Sequence, residues 1–348
     1  YTLWHTLSLH DALPIYRYVE TTGERVSDKL MKSIVKGGKW ISSKRLSKVK
    51  DSPHAGLFPA GFSAEHFGPN DYYYWDDFWG VAGLKVSADL LQSNASETQI
   101  KRFRDDAESF MSAINDSLGH TRKRLKTEAI PASPYRRMDV GAVGSLVASY
   151  PLQLVAADDR RIKETLDYLY ENCLLEGALF HDLVHSGINI YLTLHMAQCL
   201  LRAGDDRYFG LIEAVAKIAS ATGQWPEAVH PATKGGCMGD GQHVWAAAEW
   251  VMMIRNLFVR EEPDGLILCS GIPPEWYQNK EELSFGPTWT AFGQVSVKIV
   301  PDDPIRIFWS IEKPGKPAPK ITVILQPGII RECSPEETSI DISRDEIK

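Results

Sequence analysis

Long uninterrupted apolar runs are missing from this 348-residue chain, and with them any segment suited to cross a bilayer as a helix. Paired cysteines are missing too. The five thiols are scattered, odd in number and fit neither CxxC nor CxH spacing, which excludes a disulfide frame and a zinc ribbon. Dense basic runs occur only within residues 29–50 and 121–126. The net charge is −7 with a pI near 5.8, which argues against nucleic acid as the main partner. No repeat of fixed length recurs, which disfavours a solenoid. His185, His230 and His243 have no HExxH-like spacing, so no metal is called for. The glycine-rich stretch Gly235–Gly241 follows no strand pattern and is not a phosphate loop; no cofactor is expected.

What is present is ordinary globular material: 44% hydrophobic residues, enough for a sizeable core. The stretch Leu7–Ile15, "LSLHDALPI", resembles a translated sequencing adapter, so residues 1–15 are set aside from the fold. The natural chain is then expected to begin upstream. A leader and the compartment, cytoplasmic or periplasmic, are not readable, and neither is the oligomeric state.

From about residue 27 to 258 the pattern is helix after helix. Helices apolar nearly all round begin near residues 77, 139, 187 and 242. Amphipathic ones begin near 97, 159 and 206. A helix apolar on every side belongs between layers, and an amphipathic one on the outside. Alternating inner and outer helices make a solenoid or a closed α/α toroid, and the missing repeat favours the toroid. The pair Gly37-Gly38 weakens the helix expected over 28–46, and Ser96 with Gln99 fits a capping box for the next outer helix. After about residue 261 apolar and polar residues alternate in short runs between Pro, Gly and Asp, which predicts an antiparallel β-sandwich. The expected organisation is a helical domain over 16–260 and a β domain over 261–348.

Polar and aromatic residues gather before each inner helix. The stretch "NDYYYWDDFWGVAGL", residues 70–84, sets Asp76 and Asp77 among three tyrosines, two tryptophans and a phenylalanine. "PYRRMDVG" carries Arg136, Arg137 and Asp139. "FHDLVHSGIN" carries His181, Asp182, His185 and Asn189. "GQWPEAVHPATKGGCMGDGQHVW" carries Trp225, Glu227, His230, Asp240 and His243. In a toroid these ends converge on one mouth, where a few polar groups in a concavity make the default site. Aromatics beside carboxylates suit a carbohydrate partner. Tyr74, Trp75, Trp79 and Trp225 offer faces for a sugar ring, and Arg136, Arg137, His185, Asn189, His230, Asp240 and His243 offer hydroxyl contacts. Glycoside hydrolysis needs a protonated carboxylic acid and a second carboxylate, and an acid among aromatics beside another acid is pushed towards protonation. The plain alternatives are a double N-cap under an aromatic lid for Asp76/Asp77, a simple cap for Asp139 and a satisfied loop carboxylate for Glu227. Cys237 lacks a base partner for a nucleophilic role.

These motifs resemble the (α/α)6-barrel, or six-hairpin, glycoside hydrolases over roughly residues 28–310. "YYYWDDFWGVAGL" resembles a trehalase stretch through Trp75, Asp76, Trp79, Gly83 and Leu84. "WPEAVHPATKGGCMGDGQHVWAAAE" is similar to the segment before the last barrel helix of glucoamylases, where a Glu is the catalytic base and Glu227 stands here. "LILCSGIPPEW" with "TAFGQVSVKI" is similar to the β domain after the barrel in α-L-rhamnosidases. The resemblance implies a mainly α fold with about eight of the twelve barrel helices, then a β-sandwich. It implies an inverting hydrolase with Glu227 as base. Counting helices back from the last puts Asp76 or Asp77 in the acid's place; the trehalase match instead makes Asp139 the acid. A glycoside phosphorylase is an alternative, disfavoured by an acidic residue where phosphate would bind. A non-catalytic carbohydrate-binding toroid is another.

Overall fold

The computed structural model describes residues 12–48, 51–62, 68–92, 97–183, 186–239, 241–263, 265–278, 281–312, 319–326, 328–334 and 336–347. Among the described residues helix accounts for 46% and strand for 20%. The helices in chain order are α1 (Ala12–Thr22), α2 (Asp28–Lys44), α3 (Tyr74–Leu90), α4 (Glu97–Leu125), α5 (Arg160–Asn172), α6 (Ile190–Ala203), α7 (Arg207–Lys217), α8 (Val244–Phe258) and the short α9 (Pro274–Gln278). A 3₁₀ helix, Val140–Ala148, lies between α4 and α5.

Local chemistry sets these boundaries. Ser27 caps α2 by accepting from Leu30 N–H, Asp159 caps α5 by accepting from Arg161 N–H, and Asn189 caps α6 by accepting from Leu192 N–H. Gly204 ends α6 in the left-handed region, at φ 71°. The capping box expected at Ser96 falls outside the described residues, and α4 begins at Glu97. Most of Leu7–Ile15 also falls outside them, yet α1 runs unbroken from Ala12 across the expected boundary at Ile15, with Leu13 against the core.

The inner and outer pattern holds for most of the chain. Every residue of the 3₁₀ helix is buried, as is nearly all of α6, whereas α5 and α7 bury one stripe each. Each fully buried Leu or Ile of α6 contributes about 1.5–3 kcal/mol. Two differences stand out. The segment after Asp139 winds as 3₁₀ and not α, since Gly141 and Gly144 weaken the wider turn and burial on all sides holds the tighter one. The last inner helix is not covered: Val244, Ala247, Ala248 and Val251 of α8, at i, i+3, i+4 and i+7, are exposed, with Val244 at 79% and Val251 at 64%. No described element packs over that stripe.

Loops before α6 and α8 form a five-stranded sheet of very short strands, β1 (Leu174–Leu175), β2 (Ala178–His181), β3 (Gly187–Asn189), β4 (Ala228–Val229) and β5 (Gly236–Met238), in that order. Beyond α8 come β6 (Val259–Glu262), β7 (Gly265–Leu268), β8 (Leu283–Thr290), β9 (Gly293–Val300), β10 (Ile305–Glu312), β11 (Lys320–Gln326), β12 (Ile329–Cys333) and β13 (Ser339–Ile342). They make two four-stranded sheets, ordered β13-β10-β9-β8 and β12-β11-β7-β6. In the first, Val297 and Ile299 of β9 stand opposite Trp309 and Ile307 of β10, all buried. The second is not purely antiparallel as expected. β11 pairs with β7 in parallel, setting Ile321 against Leu266, because the chain builds β8, β9 and β10 before it returns.

Candidate active site

Helix α3 opens the site. Its cap is Tyr73, which makes no side-chain cap bond, so neither Asp76 nor Asp77 caps it. The two aspartates follow one another in the first turn but differ in surroundings. Asp77 is 1% exposed, and its Oδ1 accepts from Phe58 N–H at 2.9 Å. Burial holds its carboxyl well above the usual range, and the Asp76 charge adds to that. Asp76 is half-buried, and burial raises its carboxyl to about 7. An acid so placed keeps its proton near neutrality.

The aromatics of the same turn divide likewise. Tyr74 is fully buried with its hydroxyl 2.8 Å from Ser117 Oγ and 3.0 Å from Thr121 Oγ1, so it joins α3 to α4 and leaves no face for a ligand. Trp75 and Trp79, one turn apart, set their rings 5.9 Å from each other and wall a cavity of about 140 Å³. The remaining walls are Val147 of the 3₁₀ helix and Pro151 beyond it, Tyr191, Leu192 and His195 of α6, and Trp245 and Glu249 of α8. Tyr191 stacks on Trp245 at 4.4 Å and meets the His243 ring at 5.5 Å. His243 Nε2 is 3.9 Å from Glu227 Oε2, both side chains one-fifth exposed. A line of contacts thus runs from Trp75 and Trp79 through the cavity to Tyr191, His243 and Glu227. Gly239, at φ 69°, seats the glycine-rich loop against Glu227; a Cβ there would stand 2.9 Å from Glu227 Cβ.

Glu249 is the residue sequence reading passed over. It sits inside the apolar run "VWAAAEWVMM" of a helix expected to be buried. Burial raises its carboxyl to about 7, against a hydrogen bond from the Trp245 side chain that pulls the other way. The available signal was a carboxyl with tryptophans four residues before and one after it.

Other expected contacts stand elsewhere. Asp139 caps the 3₁₀ helix through Gly141 N–H at 3.0 Å and lies 3.7 Å from Arg136 Nε. With Arg136, Arg137 and Asp182 it lines a separate open concavity of about 840 Å³ that shares no residue with the aromatic cavity. Burial raises the Asp139 carboxyl, partly offset by Arg136. Arg136 also donates to Tyr73 Oη at 3.3 Å, and Arg137 is exposed. Asn189 is spent on capping α6. Trp225 is buried, donates from Nε1 to Val215 O at 2.9 Å and packs on Trp250. His230 is exposed, its Nδ1 accepting from Ala232 and Thr233 N–H within its own turn. His185 and Asp240 lie outside the described residues. Among the described residues no three His, Cys, Asp or Glu side chains group as a metal site.

No family profile matches the chain, and no curated protein matches it. Solved structures do. A bacterial glucoamylase complexed with acarbose is 16% identical with a TM-score of 0.49, over 72% of this chain and 41% of that one. A glycosidase carrying the E178A substitution is 14% identical with a TM-score of 0.43, over 56% and 54%. A wild-type glycosidase is 15% identical with a TM-score of 0.40, over 53% and 51%. The chain is therefore similar to glycosidases, glucoamylase among them, and spans about half the length of these three structures.

Proposed function

We propose that the chain carries the acid and base of an inverting glycoside hydrolase, with residues 16–260 as part of an (α/α)6 barrel and 261–348 as its β-sandwich. The Asp76 carboxyl gives its proton to the glycosidic oxygen as the bond from that oxygen to the anomeric carbon breaks. Glu227 takes a proton from the water that attacks the opposite face. Trp75 and Trp79 stack on the sugar. The observation that carries the reading is the contrast between neighbours: Asp77 is spent in the core, and the half-buried Asp76, next to Trp75 in the same turn, is held near neutrality. Two carboxyls whose surroundings separate their roles are the mark of acid–base chemistry. Support for the base comes from Glu227 lying 3.9 Å from His243, whose ring meets Tyr191 of the cavity wall.

The test uses the full-length enzyme, with hydrolysis of aryl and alkyl glycosides followed by NMR of the first-formed anomer. E227Q should lower turnover on every substrate by about 10²–10⁴-fold. D76N should spare nitrophenyl glycosides, whose leaving oxygen needs little protonation, and abolish turnover of alkyl glycosides. Retention of anomeric configuration, or full activity in E227Q, ends the assignment.

A further inference from the structure

The aromatic cavity holds one carboxyl, that of Glu249, and its Oε2 atom is buried without a hydrogen-bond partner. Buried polar atoms in native proteins are nearly always paired, so an orphan aimed into a cavity points to a missing partner. Trp245 and Glu249 lie four residues apart on one face of α8, so both side chains reach the same cavity. The other aromatic walls are Trp75, Trp79 and Tyr191, the last stacked on Trp245. His195 adds no charge: its Nε2 donates to Tyr150 O at 2.5 Å, and burial lowers the ring to about 4. Trp245 is 39% exposed, which opens one side of the cavity to solvent.

We propose that Glu249 reads a hydroxyl of a single neutral sugar ring held in this cavity between Trp75/Trp79 and Trp245. The proposal rests on the carbohydrate reading of the site and adds a binding residue to it. Size limits the ligand: an engineered cavity of about 150 Å³ takes one benzene, so this one, at about 140 Å³, admits no more than one ring, with its outer substituents towards the exposed Trp245. Chemistry limits it further. A carboxyl kept protonated by burial both donates and accepts a hydrogen bond, as a hydroxyl partner requires. With no cation among the walls, an anionic ligand would be left unpaired. The ring faces match the C–H face of a pyranose.

Three tryptophans in the wall make their own reporter. Fluorescence of the full chain is titrated with D-glucose, D-galactose, D-mannose and L-rhamnose, and with cyclohexanol as a ring of one hydroxyl. A saturable response to at least one sugar is expected, tighter than for cyclohexanol. E249Q, which keeps a donor and an acceptor, should bind within a few-fold of the parent. E249L should weaken that sugar by about tenfold or more. If E249L does not fold, E249M supplies the same loss at nearly the original length. No saturable response to any of the four sugars, or equal sugar binding in E249L or E249M, overturns the proposal. Failure of the Asp76/Glu227 assignment is separately visible, as hydrolysis retained in E227Q with these titrations unaffected.

Discussion

The backbone N–H of Phe58 donates a 2.9 Å hydrogen bond to Asp77 Oδ1, across nineteen residues of sequence. That bond separates two aspartates the sequence places side by side. It ties the loop before α3 to the first turn of the helix and turns the Asp77 carboxyl into the core, away from the acid's place.

Asp77 should therefore matter to stability and not to chemistry. D77A leaves Phe58 N–H buried without its acceptor and is expected to cost about 1–3 kcal/mol. Its turnover per folded molecule should stay near that of the parent, whereas D76N loses alkyl-glycoside hydrolysis. Urea unfolding paired with active-site-normalised kinetics checks both halves. A D77A protein as stable as the parent but inactive reverses the two roles.

The pH response of Asp76 has a definite direction. Its folded value, about 7, lies above the ordinary carboxylate value of 3.8, so the proton is bound more tightly in the folded state. The acid is charged, and useless as a donor, once the pH passes about 7; the alkaline limb of kcat should fall there and vanish for nitrophenyl glycosides in D76N. The same shift makes a stability contribution that is complete below about pH 4 and lost as pH rises through 7. D76N should flatten the fall of the melting temperature across that window. An unchanged slope would place the linkage on other groups.

Arg202 is a buried cation shared between the last turn of α6 and strand β6. Its Nε and Nη2 reach the two oxygens of Glu262 at 3.0 Å, and its Nη1 donates to Ser149 O at 3.1 Å and Val155 O at 3.0 Å. Its side chain is 5% exposed. Removing one partner of a buried pair is far costlier than removing a surface ion pair, so R202A is expected to lose about 3–5 kcal/mol. R202K should recover only part, since an ammonium cannot serve Glu262 and two carbonyls in that fork. Thermal melts of the two variants decide it.

Gly38 sets two effects against each other. Alanine in mid-helix gains about 1 kcal/mol in propensity. A Cβ at Gly38, however, would stand 2.5 Å from Cζ of Phe103, whose ring is fully buried between α2 and α4. Overpacking costs about 1–3 kcal/mol, so G38A should destabilise despite the better helix former. A second substitution, F103L, should recover some of that loss. A stabilised G38A would mean that the ring moves freely.

Periodicity carried most of the helical layout because long inner and outer stripes are local signals: α3 through α7 lie where the alternation places them. The short strands β1–β5 were not legible. Each is two to four residues long, and only pairing with distant loops, such as Ile188 opposite Val229, defines them. The parallel pairing of β7 with β11 was hidden for the same reason. Site residues divided by burial, which one sequence does not display: Tyr74 and Trp225 read as ring platforms yet close the core, and Asn189 and Asp139 are held by helix ends. Glu249 shows the opposite case. Its neighbours made it read as part of a packed stripe, and the cavity around it exists only once α3, α6 and α8 meet.

The passage from Phe258 of α8 to Val259 of β6 takes no intervening residue. Across this junction Arg255 of the helix bonds Glu261 of the strand at 2.5 Å and Trp289 O at 3.0 Å, and Glu261 in turn accepts from Ala291 N–H at 2.7 Å. At this junction no linker residue separates helix from strand, and these bonds tie the two together. Heat should melt them in one cooperative transition. Strain introduced in the sheets should be felt at once along α8, where Trp245 and Glu249 wait.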